Sequence, residues 1–187
     1  TQANLDVVVV GIDETSLDRY KEPLTLWHPY FARFFNAMEA ASARVVGVDM
    51  VLPDKSYEFL TPGYDLKLLQ AIRSMRGKVP LVLAQTVDNA GSVRPLFAPI
   101  VSFAGRDSIG VPLVKPEADG LVRRMYASVN TGKVKLPTLA GKLAEQLGMT
   151  FQQGWIDYAV GKPLDYISLS TVLDWYEQGD TDHLNQT

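Results

Sequence analysis

The feature that most constrains the fold is a pair of apolar runs rich in β-branched residues, each closed by an aspartate. The first lies within residues 5–13 and reads VVVVGI before Asp13. The second lies within residues 44–49 and reads VVGV before Asp49. An apolar run without alternation is typical of a strand buried on both faces of a parallel sheet. The chain is therefore predicted to begin with two buried parallel strands.

An amphipathic helix is predicted between these two strands. Pro29 takes a first-turn position, where its missing N–H costs little. The helix is predicted to run to about Ala43. Its apolar side chains at helical spacing are Phe31, Phe34, Phe35, Met38 and Ala41. Strand, helix and strand in succession predict a βαβ unit with parallel strands and a right-handed crossover.

The later strands are predicted to change direction. Residues 79–85 fit a third strand of the parallel part, with Pro80 near its start. Residues 109–114 and 121–130 flank a turn and predict an antiparallel hairpin. Residues 155–159 predict a last short strand.

Further helices are predicted from their start and stop signals. Their proposed starts are Thr15 or Ser16, Asp65, Pro137, and Ser168 or Ser170. The expected fold is a single α/β domain: a mixed sheet with a parallel βαβ start and antiparallel later strands, with helices packed on it. We expect this domain to occupy residues 1–178 and a polar, frayed tail to occupy residues 179–187.

Composition narrows the possible functions. The 187 residues are 47% hydrophobic and 21% charged, as in an ordinary soluble globule. The net charge of -3 and the scattered basic residues argue against a nucleic-acid partner. The absence of cysteine excludes a disulfide scaffold, a thiolate zinc site and a cysteine nucleophile.

No apolar run approaches the roughly 18 residues of a membrane helix. The chain opens with Thr1 and carries no signal peptide, so we expect an excised or mature piece whose membrane anchors lie outside it. Walker, dinucleotide-binding and serine-hydrolase motifs are absent. We therefore expect no cofactor and no catalysis in this domain.

Asp13 and Asp49 close the two predicted parallel strands. The carboxyl ends of such strands are where open α/β sheets bind ligands. Asp88, which follows the third strand, is placed to join them. Converging carboxylates would suit Mg²⁺. In the alternative interpretation, Asp13 caps a helix and Asp49 pairs with a buried arginine.

Arg123 is the arginine predicted to meet these acids. A period of two places it on one face with Leu121, Met125 and Ala127, so its side chain is expected to point inward. A buried guanidinium needs an acidic partner. The candidates are Asp13, Asp49 and Asp119. The arrangement is either a structural ion pair of Arg123 with Asp49 or Asp119, or a site for an anionic ligand.

Four stretches of the chain, in order, resemble one known family. They are VVVVGIDETSL at residues 7–17, ARVVGVD at 43–49, Gly110-Val111 with DGLVRR at 119–124, and WIDY at 155–158 with residues 168–173. They resemble the second type of CHASE domain, a cyclase- and histidine-kinase-associated extracellular sensing module.

The resemblance implies a sensor on the extracytoplasmic side of a bacterial membrane, periplasmic or at the cell surface. The parent protein would supply flanking transmembrane helices and a cytoplasmic output, such as a nucleotide cyclase, a histidine kinase, a diguanylate cyclase or a protein kinase. None of that output lies in this sequence.

Three functions remain open. The first is a sensing module that responds by population shift to an unidentified small-molecule or protein stimulus. Its candidate contacts are Asp13, Trp27, His28, Asp49 and Arg123. The second is a domain that only forms a homodimer of the parent. The third is a Mg²⁺-dependent enzyme that uses Asp13, Asp49 and Asp88.

Overall fold

The computed structural model describes residues 7–150, 153–159 and 164–185. Its strands are β1 (Val8–Gly11), β2 (Val46–Val51), β3 (Leu81–Ala84), β4 (Ile109–Gly110), β5 (Arg124–Met125), β6 (Ser128–Asn130), β7 (Lys135–Pro137), β8 (Gly154–Trp155) and β9 (Asp165–Ser168). Its α-helices are α1 (Glu14–Arg19), α2 (His28–Ala40), α3 (Tyr64–Met75), α4 (Ala98–Ala104), α5 (Leu139–Gln146), α6 (Leu169–Gln178) and α7 (Thr181–Asn185).

The central sheet is parallel and has the strand order β2-β3-β4. Helix α3 connects β2 to β3 and forms the βαβ unit of the fold. All four residues of β3 are buried, as the uninterrupted apolar run predicts for a central strand. The α/β class and the parallel start of the fold are therefore confirmed.

Strand β2 is buried on one face only, which differs from the predicted two-sided burial. Val46 and Val48 point into the core, whereas Gly47 and Asp49 alternate to the opposite, exposed face. Helix α5 crosses that face so closely that a Cβ at Gly47 would lie 2.9 Å from the Leu143 side chain. The glycine therefore lets α5 pack here, and Asp49 lies beyond the point of contact.

The predicted pairing of the first strand with the second is wrong. Strand β1 pairs in parallel with β9, with Val8 opposite Asp165 and Gly11 opposite Ser168. The two strands form a separate two-stranded sheet. Val9 is 38% exposed, because so narrow a sheet leaves one face open to solvent. The predicted start of the strand at residues 5 and 6 lies outside the described residues.

The predicted hairpin between residues 109–114 and 121–130 is also wrong, although antiparallel later strands are confirmed. Strand β4 joins β3 in parallel, β5 pairs with β8, and β6 pairs with β7. Proline has no N–H to donate to a neighbouring strand. Pro112 and Pro116 therefore disfavour the pairing of residues 109–114 with residues 121–130. Val111 bonds instead to the backbone of Pro137 and Leu139.

Three helices begin at or close to the positions that their start signals predict. Helix α2 starts at His28 with proline in its first turn, and α6 follows Ser168 and ends at Gln178. Helix α5 starts at Leu139, two residues after Pro137. Thr138 is its N-cap, and the Thr138 hydroxyl accepts the Gly141 N–H.

Two predicted caps are corrected. Asp13 caps α1 by accepting the Ser16 N–H, which confirms the alternative interpretation of Asp13 and corrects the caps proposed at Thr15 or Ser16. Gly63, rather than Asp65, precedes α3, and its backbone takes the left-handed conformation that glycine tolerates. Asp65 lies inside the first turn of α3 and is buried.

The segment after Gln178 differs from the predicted frayed tail, because it contains α7. Leu184 of this helix is 2% exposed and packs in a cluster with Ala37 and Val172. One apolar side chain thus docks an otherwise polar segment against α2 and α6. The division of the chain at residue 178 remains a prediction.

The main core lies between the central sheet and helices α2, α3 and α4. Its largest fully buried members are Trp27, Phe35, Leu52, Leu68, Ile72, Met75, Leu83, Ile100 and Leu173. Helix α5 packs against the sheet through β2, β3 and β4. In the part of the chain that the structure describes, no helix has the length and apolar character of a membrane span.

The packing of α5 predicts an inverted effect of a common stabilising substitution. Glycine to alanine in a helix normally stabilises by about 1 kcal/mol. At Gly141 the added Cβ would lie 2.4 Å from the Ala127 carbonyl oxygen. We expect Gly141→Ala to lower the free energy of unfolding by about 1–3 kcal/mol in urea titrations. Gln146→Ala, on the same helix, should stay within about 0.5 kcal/mol, and a stabilising Gly141→Ala would contradict this packing.

Candidate functional site

A cleft of about 190 Å³ lies at the carboxyl ends of β2 and β4. We refer to it as the Asp49 cleft. Its lining comes from five parts of the chain: Asp49 of β2, residues 111–114, Val122 with residues 124–126, residues 138–140 at the start of α5, and Ile156. Ligand sites of open α/β sheets lie at this edge of the sheet. Asp49, which was predicted to close its strand, lines this cleft, although β2 continues past it to Val51.

A close approach of backbones closes one side of the cleft. Gly110 of β4 is buried, and a Cβ on it would lie 2.8 Å from the Leu139 Cα and 2.9 Å from the Thr138 oxygen. The glycine thus brings the first turn of α5 against the end of β4. Thr138 is fixed there, because its hydroxyl donates to the backbone carbonyl oxygen of Tyr126 at 2.6 Å and accepts the Gly141 N–H.

Asp49 presents a carboxylate to this cleft. Its side chain makes no hydrogen bond and no ion pair with any residue in the described ranges. The predicted pairing of Asp49 with Arg123 is therefore not formed. The alternation of β2 explains its position, because the side chain points away from the core face that Val46 and Val48 occupy.

Arg123 is paired with two acids of the preceding turn. Its guanidinium lies 2.7 Å from Asp119 and 3.1 Å from Glu117. The bond from Arg123, followed by the Leu121 N–H, lowers the pKa of Asp119 because both favour its ionised form. The structure thus brings Arg123 and Asp119 together, while neither lines the Asp49 cleft.

The predicted inward orientation of Arg123 is wrong. Its side chain is 37% exposed, and Leu121 and Met125 on the same predicted face are also exposed. The period-two argument required a continuous strand over residues 121–130. Only Arg124 and Met125 form β5 there, so the alternation does not extend to Arg123.

Arg124, rather than Arg123, lines the cleft, and its side chain is 42% exposed. Its guanidinium carbon lies 4.4 Å from the centroid of the Trp155 ring, within cation–π distance. Its Nε lies 3.6 Å from Glu117 Oε1, which is too long for a hydrogen bond. The adjacent pair Arg123-Arg124 was the only sequence signal for this residue, and it did not indicate which member would face a site.

Asp13 belongs to a hydroxyl network that joins α1 to β9 and α6. It accepts bonds from the Ser16 N–H at 2.9 Å and from the Ser168 hydroxyl at 2.8 Å. Those two bonds, in that order, lower the pKa of Asp13. Because Ser168 donates its one proton to Asp13, the hydroxyls of Ser16 and Ser170 must donate to Ser168, at 3.0 Å and 2.8 Å. Asp13 is therefore engaged within the fold.

Trp27 and His28 are buried beneath the loop before α3, away from the Asp49 cleft. The Trp27 indole N–H donates to the backbone carbonyl oxygen of Glu22 at 2.7 Å. His28 Nδ1 lies 2.9 Å from Asp65, whose carboxylate also accepts the Ser56 hydroxyl at 2.6 Å. His28 thus ties the start of α2 to the start of α3, and its Nε2 is buried without a hydrogen-bond partner in the described structure.

The acids of the Mg²⁺ hypothesis do not converge. Asp13 lies beside the β1–β9 sheet, Asp49 lies in the central sheet, and Asp88 accepts the N–H groups of Ala90 and Ser92 in a turn. Among the described residues, no group of three or more histidine, aspartate or glutamate side chains is placed to hold a metal ion.

A second concave surface runs along helices α2 and α3 and measures about 660 Å³. Its charged lining residues are Arg33 and Lys67. Arg33 is already tied to Glu177 of α6 and lies over the Tyr30 ring. Small residues such as Ala32 and Ala71 shape the groove, as expected where two helices pack closely.

The buried histidine predicts a loss of stability in acid. Burial lowers the pKa of His28 from its ordinary value of 6.5, against the opposing effect of Asp65. The folded state therefore binds fewer protons than the unfolded chain just below pH 6.5, and the free energy of unfolding should fall there as the pH is lowered. Urea titrations at a series of pH values would measure this fall.

Two variants assign the effect to one side chain. In His28→Gln the fall below pH 6.5 should shrink, since the titrating imidazole is gone. His183→Gln, which changes the only other histidine, should preserve it. Stability that stays constant or rises toward acid in the unmodified chain would contradict the burial of a neutral His28.

Comparison with models of protein families identifies one family. The model of the CHASE2 domain matches residues 1–185, essentially the whole chain. No curated protein and no solved structure matches the chain. CHASE2 is a family of extracellular sensory domains of signalling proteins. The chain belongs to the CHASE2 domain family.

Proposed function

We propose that this chain is the extracytoplasmic signal-input domain of a bacterial transmembrane signalling protein, such as a cyclase, a histidine kinase or a diguanylate cyclase. A small molecule bound in the Asp49 cleft is its stimulus. The parent protein supplies flanking membrane helices and the catalytic output. Membership of an extracellular sensory family supports this role.

The construction of the cleft is the observation that carries the proposal. Its lining comes from five separate parts of the chain, which include the end of β2 and the start of α5. A ligand that contacts all of them stabilises one relative arrangement of those parts. Ligand binding therefore shifts the population of conformations, which is the property that a sensory input needs.

The pairing of β1 with β9 supports a route for the signal out of the domain. These strands lie near the two ends of the described chain, and the bond from Ser168 to Asp13 joins them. In a parent with membrane helices on both sides, one sheet would thus couple both helices. Helix α6, which follows β9, packs on α2 and links this sheet to the main core.

Thermal unfolding against a ligand panel tests the input. The panel contains amino acids, sugars, small carboxylates, nucleotides and divalent metals. A true ligand at a hundred times its Kd adds about 2.7 kcal/mol of stability, and each kcal/mol raises Tm by about 2–4 °C in a domain of this size. We expect one organic class to raise Tm and the shift to disappear in Asp49→Asn.

Asp107→Asn is the matched control, because Asp107 is an exposed carboxylate that does not line the cleft. It should keep the full ligand response. If no class raises Tm, the ligand-input proposal is wrong and a ligand-free homodimerisation domain is favoured. Sedimentation over a range of protein concentrations would then show a dimer.

Hydrogen exchange tests the proposed route. Ser168→Ala removes the donor to Asp13 and the shared acceptor of Ser16 and Ser170. An unsatisfied buried partner costs about 1–3 kcal/mol, so we expect faster exchange of the amides in both β1 and β9. Ser102→Ala removes an exposed hydroxyl that bonds only to the Ala98 carbonyl within α4, and it should leave these rates unchanged. Equal exchange in both variants would contradict coupling through Ser168.

A further inference from the structure

We propose that the Asp49 cleft takes a small zwitterion with an apolar body, of the kind represented by an apolar α-amino acid. The ammonium group pairs with Asp49, the carboxylate pairs with Arg124, and the apolar body lies against the apolar lining of the cleft. This inference rests on the proposed function, because it names the class of ligand that enters the same cleft.

The anionic side of the cleft is available for an ammonium group. The Asp49 carboxylate has no hydrogen-bond or ion-pair partner among the described residues, whereas other carboxylates near the cleft have such partners. Asp119 and Glu117, for example, are both engaged by Arg123. A charge-assisted bond from an ammonium group to a carboxylate is among the stronger hydrogen bonds in proteins. Asp49 is thus positioned and uncommitted.

The cationic side is oriented by one long ion pair and donates no hydrogen bond within the described residues. Trp155 lies beneath the Arg124 guanidinium, and Glu117 lies beside its Nε at 3.6 Å. Neither neighbour accepts a hydrogen bond from it, and no other described residue does. The planar guanidinium therefore keeps its N–H groups for a carboxylate, which it binds in a bidentate manner.

The apolar part of the cleft lining favours an apolar body in the ligand. It is mainly apolar and includes Val111, Leu113, Met125, Leu139 and Ile156. The volume of about 190 Å³ is below the roughly 300–1,000 Å³ of sites for drug-sized ligands. A small ligand that carries both charges on one carbon and an apolar body beyond them matches the chemistry of this lining.

Calorimetric titration of the whole chain with four probes tests the charge requirement. The probes are L-valine, L-leucine, 4-methylpentanoate, which lacks the ammonium group of leucine, and 3-methylbutylamine, which lacks the carboxylate. We expect at least one amino acid to bind and both single-charge analogues to bind at least about tenfold more weakly, since a bond to a charged group is worth about 1.5–3 kcal/mol.

Reciprocal variants assign each charge to its residue. Asp49→Asn should weaken binding of the amino acid and leave the carboxylate analogue unaffected. Arg124→Gln should weaken the amino acid and leave the amine unaffected. Asp107→Asn and Arg106→Gln change exposed residues of the same types elsewhere and should retain the affinity of the unmodified chain. Unchanged Tm values in the absence of ligand would show that the variants are folded.

The outcomes separate this inference from the proposed function. If an analogue with one charge binds as tightly as leucine, or if both cleft variants keep full affinity, the zwitterion assignment is overturned. If neither amino acid binds but another class raises Tm and loses this effect in Asp49→Asn, the sensory cleft stands and the zwitterion assignment fails. If no probe or panel compound binds, both fail together.

Discussion

The bond from the Ser168 hydroxyl to Asp13 spans 155 positions of sequence, and the arrangement of the chain ends depends on it. It fixes the cap of α1 against the start of α6. It also lies next to the Gly11–Ser168 pair, where β1 and β9 end side by side. Ser16 and Ser170 are buried, so their hydroxyls need the acceptor that Ser168 provides. Each polar group of the cluster thereby has a partner, and the first and last strands are held as one sheet.

The elements of the fold were largely predictable, and their partners were not. Proline in the first turn and a regular apolar stripe suffice to locate α2, because both signals are local. The pairing of β1 is decided by contacts with residues more than 150 positions away. An apolar run reports that a strand has buried contacts, but it does not name the strand that lies beside it. Prolines such as Pro112 were a local warning against the predicted hairpin.

The candidate site was predicted in part. Asp49 could be placed at a strand end because the carboxyl edge of a parallel sheet follows from the βαβ pattern. Arg123 was assigned by alternation, which holds only inside a strand, and the adjacent Arg124 reached the cleft instead. Trp27 and His28 were grouped with the site from composition alone. Their burial reflects the packing of α2 on α3, which depends on side-chain volumes that no local pattern reports.

Arg124 lies over Trp155, and this stacking gives the cleft a built-in optical reporter. Trp155 is 68% exposed, whereas Trp27 is fully buried in the core. A molecule that draws the guanidinium toward itself changes the electric field at the Trp155 indole, while the surroundings of Trp27 and of the half-buried Trp175, neither of which lines the cleft, stay the same. Events in the cleft should therefore appear in the red part of the tryptophan emission, which exposed indoles contribute, without any added label.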